Sequence, residues 1–143
     1  MGMDLVHLKL LILYKIYISK ILKKIWIINQ FANLPSGSTG TRHYSLAKYL
    51  KNEDFDTSII AGSIEHNTGF QKLDRKHKFK LDNIEGVKFF MIRLKSHRLS
   101  SLRGRILNMI NFSIKILTLS PDRFLEKPNL IIGSSPSPLA ALS

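Results

Sequence analysis

Apolar residues fall in short runs separated by polar, glycine-bearing stretches. Ile25–Asn29, "IWIIN", is short and rich in β-branched residues, and it reads as a buried parallel strand. Gln30–Gly40 supplies loop formers. From Thr41 the period lengthens: His43, Leu46, Ala47 and Leu50 follow i, i+3, i+4, i+7, which predicts one face of a helix. Thr39 or Thr41 is the expected N-cap. Asp56–Gly62, "DTSIIAG", is the next predicted strand. Strand, loop, helix and strand in this length make a βαβ unit with an expected right-handed crossover.

Ser63–Asn83 carries little pattern, apart from an alternation at His77–Leu81 and a turn at "NIEG". Loops this long are often functional. Val87–Leu94, "VKFFMIRL", predicts a strand, and Lys95–Arg105 a basic loop. Ile106–Leu119 predicts an apolar helix with Ile106, Met109, Ile110, Ile114 and Leu117 on one side, either packed on the sheet or, with the basic segment before it, facing a membrane. Leu130–Gly133, "LIIG", reads as a further strand, followed by Ser137 as N-cap and Pro138 as first helical residue. The elements alternate as in an α/β domain with a mostly parallel sheet. A last helix one turn long leaves that domain incomplete, with a bare strand edge.

Residues 1–23 precede this alternation. Leu10–Leu22 is apolar but carries Lys15 and Lys20, and it is shorter than the roughly 20 residues a spanning helix needs. It has no small-residue cleavage site, and Met-Gly at the start lacks the Ser/Thr of a myristoylation signal. A helix in the interface of an anionic membrane, or an extension foreign to the domain, are the two readings.

Composition adds less. The chain has 143 residues, no cysteine and a formal charge of +12, from 22 Lys+Arg against 10 Asp+Glu. Without cysteine there is no disulfide framework and no thiolate chemistry. The excess charge favours nucleic acid, anionic lipid or phosphorylated ligands without choosing among them. Part of it fits the Lys/Ile/Asn usage of an AT-rich genome.

The chemistry centres on "GSTGTRH". Gly40 is followed by Thr41-Arg42, so the lysine of a P-loop is missing. The second strand ends Ile60-Ala61-Gly62, without the acidic residue of a dinucleotide site. A general anion site remains: glycines admit close approach, and free N–H groups at a helix start attract negative charge. Arg42 and His43 as cations oppose the helix dipole unless an anion lies there. His66 and Asn67 follow the second strand, where open α/β sheets bind ligands. No His or carboxylate spacing suggests a metal site.

Together, "KKIWIINQFANLPSGSTGTRHYSLAKYLKNEDFDTSIIAGSIEHNTG", "LDNIEGVKFFMIRL" and "EKPNLIIGSSPSPLAAL" resemble the opening of bacterial glycosyltransferase family 4 enzymes, of the colanic acid or O-antigen type. The resemblance implies a Rossmann-like fold, the first of two domains in the GT-B arrangement. Residues 24–143 would be a partial acceptor-side domain, with the donor-binding domain absent. It implies sugar transfer from a nucleotide-diphosphate sugar to a glycan or lipid-linked acceptor, at the cytoplasmic membrane face, with no metal or other cofactor. Gly37, Ser38, Thr39, Gly40, Arg42 and His43 would face the donor diphosphate, and His66, Asn67, Ser135 and Ser137 the cleft. Relatives often read "SSPHPL" where this chain has Ser137, and "KGHDV" where it has Asn52–Asp56. Catalytic residues stay unassigned, and the chain by itself is expected to be inactive.

Two other classes compete. One is a membrane-associated remnant without activity. The other is a nucleic-acid binder, disfavoured because the positive charges are scattered and the aromatics lie in strands.

Overall fold

A computed structural model of the chain describes residues 4–21, 23–36, 41–65, 68–95 and 102–134. Helix α1 (Leu5–Ile21) comes first, then strand β1 (Lys24–Ile28), helix α2 (Arg42–Asn52) and β2 (Asp56–Gly62). β3 (Phe79–Ile84), β4 (Val87–Ile92), helix α3 (Leu102–Leu119), a 3-10 turn at Pro121–Arg123 and β5 (Leu130–Gly133) complete the order. The five strands form one sheet in the order β3-β4-β2-β1-β5. β4, β2, β1 and β5 pair in parallel, and β3 is an antiparallel edge. The chain is thus α/β, a mostly parallel sheet flanked by helices, compatible with a Rossmann-like fold.

Strand alternation divides the core. Ile25, Ile27, Ile59, Ala61 and Phe89 point to one face, where Tyr44 and Ala47 of α2 cover them. Trp26, Ile28, Ile60, Phe90 and Ile92 point to the other, against Phe112 and Ile116 of α3. The strands are apolar on both sides because both faces are covered. Trp26 keeps its indole N–H paired by donating to the Glu126 carbonyl at 3.1 Å.

The described residues between Ser63 and Asn83 carry more backbone pairing than their pattern suggested. Ile64 bridges Gln71, and Lys72 N–H donates to Ser63 O at 2.8 Å. β3 then joins β4 through Glu85 and Gly86, at φ 50° and 83°. Two successive positive φ values make the tight hairpin turn that matches strand twist. α2 fastens this turn: Tyr44 OH donates to Glu85 at 2.9 Å and Lys51 Nζ to Gly86 O at 3.1 Å.

Three expectations need correction. α3 starts at Leu102, so the predicted basic loop is partly helical. Its buried residues are Gly104, Asn108, Phe112, Ser113 and Ile116, whereas Ile106, Ile110, Ile114 and Leu117 are exposed. The helix is apolar on several sides, so periodicity alone could not select the packed one. On α2, Tyr44 is buried and Leu46 exposed, and Thr41 stands at the cap position without a capping side-chain bond. Thr39, Ser137 and Pro138 lie outside the described residues.

Candidate functional site

Two crossovers leave the middle of the sheet in opposite directions. β1 runs through α2 to β2, while β4 runs through α3 to β5 on the far side of β1. α2 and α3 cover opposite faces, so β1 and β5 part at their C-terminal ends. Open α/β sheets bind ligands at such a switch point.

The backbone leaving β1 is tightly held. Phe31 N–H donates to the Asn29 side-chain carbonyl at 2.8 Å, an Asx turn, and Gly62 N–H donates to Gln30 O at 2.9 Å. Gly62 permits that approach. A Cβ there would stand 2.8 Å from Gln30 O and 2.7 Å from Leu94 Cδ1.

His43, in the first turn of α2, meets Ser134, the residue after β5. Nε2 lies 3.1 Å from the Ser134 hydroxyl, and Ser134 N–H donates to Ile28 O at 3.0 Å. The imidazole therefore spans the crevice between β1 and β5. It is 7% exposed, and its Nδ1 has no partner among the described residues. Burial, and then the neighbouring Arg42 charge, push its pKa below the ordinary 6.5. At neutral pH the ring is uncharged. Of the two cations expected at this helix start, only Arg42 carries charge, and it is exposed.

Across the sheet's α3 side, Gln30 is 1% exposed with neither amide atom partnered among the described residues, and Asn108 of α3 is fully buried in the same condition. Buried amides without protein partners call for water or a ligand.

Charge is uneven along the strands: both signs mix where the parallel strands begin, and cations prevail where they end. Glu53, Asp54, Asp56, Glu85, Asp122 and Glu126 lie where the parallel strands begin. There Asp56 pairs with Lys88 at 3.1 Å, Glu85 with Lys48, and Glu126 with Lys24. Where the strands end stand Arg42, Lys72, Arg93, Lys95 and Lys115, with Glu65 and Asp74 as the described carboxylates of the β2–β3 connection. Lys72 Nζ donates to the Asn33 side chain, Lys115 Nζ to Arg93 O, and Arg93 to Leu73 O at 2.7 Å. Desolvation lowers the pKa of Lys72 against the pull of Glu65. It lowers that of Lys115 too, with Arg93 and Lys95 adding to the effect. Partly desolvated cations crowded together gain from an arriving anion.

The expected site residues divide accordingly. Arg42 and His43 are brought to the crevice. Gly37, Ser38, Thr39, Gly40, His66, Asn67, Ser135 and Ser137 lie outside the described residues. Sequence reasoning missed Ser134, although its place directly after a strand at the switch point was a usable signal. It also missed Lys72, Arg93 and Lys115, which no motif marks. No group of three or more His, Asp or Glu residues among the described ones is placed to hold a metal ion.

Fold and site together define an open α/β sheet with cationic side chains along the C-terminal ends of its parallel strands. Comparison with family models, with curated proteins and with solved structures returns no significant match.

Proposed function

We propose that this chain is the acceptor-side part of a GT-B glycosyltransferase of cell-surface polysaccharide synthesis. In this reading the intact enzyme moves a sugar from a nucleotide-diphosphate sugar to a glycan or lipid-linked acceptor, at the cytoplasmic face of the plasma membrane. The carrying observation is the His43–Ser134 contact at the switch point, with Arg42 exposed beside it and Lys72 and Arg93 further along the same C-terminal edge of the sheet. Positive charge here would attract the donor diphosphate and stabilise negative charge on it as the sugar departs. The neutral His43 ring offers a nitrogen toward a sugar hydroxyl rather than a second cation. The unpaired Gln30 amide has both a donor and an acceptor, the pair a sugar hydroxyl needs. A donor-binding domain would complete the site, so this chain alone is proposed to bind without turnover.

Calorimetric titration with uridine diphosphate, uridine and random single-stranded DNA tests the reading. Diphosphate binding that uridine lacks, and that Arg42→Ala and Lys72→Met each weaken, is the expected result. Equal binding of uridine and its diphosphate, or steeply salt-dependent DNA binding tighter than that of the diphosphate, overturns it.

A further inference from the structure

α1 poses a different chemical question from the crevice, and the answer does not depend on the glycosyltransferase reading. Every residue from Asp4 to Tyr17 is exposed. Leu5, Leu10, Leu13, Tyr14 and Tyr17 are each more than half exposed. At 100° per residue these side chains, with Val6, Leu8, Leu11, Ile12 and Ile16, occupy the whole circumference of the helix. A helix apolar on all sides is stable only inside protein or lipid.

Three observations select lipid. The described charges of α1 and the link to β1 are Lys9, Lys15 and Lys23, while Asp4 just before the helix is the one described acid of that stretch. This balance suits an anionic surface and opposes packing of two copies side by side. Lys9 and Lys15 lie on different sides of the helix, so their long stems must reach outward past apolar neighbours, as snorkelling lysines do. Tyr14 and Tyr17 combine an apolar ring with a polar tip, the property of residues at the headgroup level. Seventeen residues span about 25 Å, short of the ~30 Å hydrocarbon core. No helix among the described residues is long and apolar enough to cross a membrane.

We infer that α1 is a membrane anchor that inserts into the headgroup–acyl boundary of an anionic bilayer without crossing it. Apolar insertion holds it, and the lysines choose the lipid.

The test uses the full chain and a variant carrying Leu10→Gln, Leu13→Gln and Tyr17→Gln. These sites are exposed and the net charge is unchanged, so thermal unfolding of the sheet should be the same in both. Both proteins are sedimented with phosphatidylglycerol-rich and with pure phosphatidylcholine vesicles, at low and high salt. The expected result is partition into the anionic vesicles that largely survives high salt and falls about tenfold or more in the variant. Equal partition of variant and parent would assign binding to the cationic strand ends or to the outward face of α3, and would overturn the inference. So would absence of partition, with or without α1-dependent dimers in light scattering.

Discussion

Nε2 of His43 lies 3.1 Å from the hydroxyl of Ser134, 91 residues further along the chain. The bond links the start of α2 to the end of β5, which its ladder to β1 and the Ser134 N–H to Ile28 O bond also hold. Ser134→Ala removes the partner of a buried imidazole whose other nitrogen is already unpaired. A loss of about 1–2 kcal/mol in urea unfolding is expected. An unchanged midpoint would mean that the bond contributes nothing to holding the crevice.

The same histidine sets a pH dependence. Its folded pKa is below 6.5, so the unfolded chain binds the proton more tightly. The associated stability is complete above the unfolded value and is lost as pH falls from there through the folded one. His43→Gln should therefore flatten the melting temperature between about pH 7 and about pH 5, where the parent declines. Parallel profiles for the two proteins would count against a buried neutral ring.

Gly62 is a steric requirement of the first turn. Any larger residue places a Cβ against the Gln30 carbonyl, which is backbone and cannot swing away. Gly62→Ala should cost about 1–3 kcal/mol in chemical denaturation, and Gly62→Val more. A neutral alanine would show that β1 and β2 do not approach so closely.

α2 ends in a cap that wants glycine and has aspartate. Phe55 N–H reaches Leu50 O and Asp54 N–H reaches Lys51 O, both at 3.0 Å, the paired bonds of a Schellman motif. Asp54 sits at φ 66°. Asp54→Gly should stabilise the fold by about 0.5–1 kcal/mol, read as a higher midpoint in urea. Destabilisation would point to a contact of the Asp54 carboxylate that matters more than its backbone strain.

What could be read from the pattern follows from how each element is fixed. β1, β2 and β4 were visible because strands covered on both faces must be apolar throughout, and β5, half-exposed at the sheet's edge, was visible as a short apolar run. β3 was only half visible: as an edge strand it is partly exposed, and the alternation of Phe79–Asp82 breaks at Asn83. The buried side of α3 was not the apolar side the sequence singled out, because small and polar Gly104, Asn108 and Ser113 join Phe112 and Ile116 against the sheet. At the site, position within α2 was enough to mark His43, but not its neutrality, which comes from burial by residues distant in the chain. Lys72 and Lys115 reach the C-terminal edge of the sheet through tertiary contacts to Asn33 and Arg93, and local sequence does not encode such contacts.

The uneven charge along the strands has a kinetic consequence. Carboxylates and cations are mixed where the parallel strands begin, while cations prevail where they end, so the C-terminal end of the sheet is its more positive side. A small polyanion diffusing nearby feels this field before it touches the surface, and the protein turns to present its crevice. Capture should then be fast in dilute buffer and slow as salt is added, while the departure rate of the bound anion changes far less.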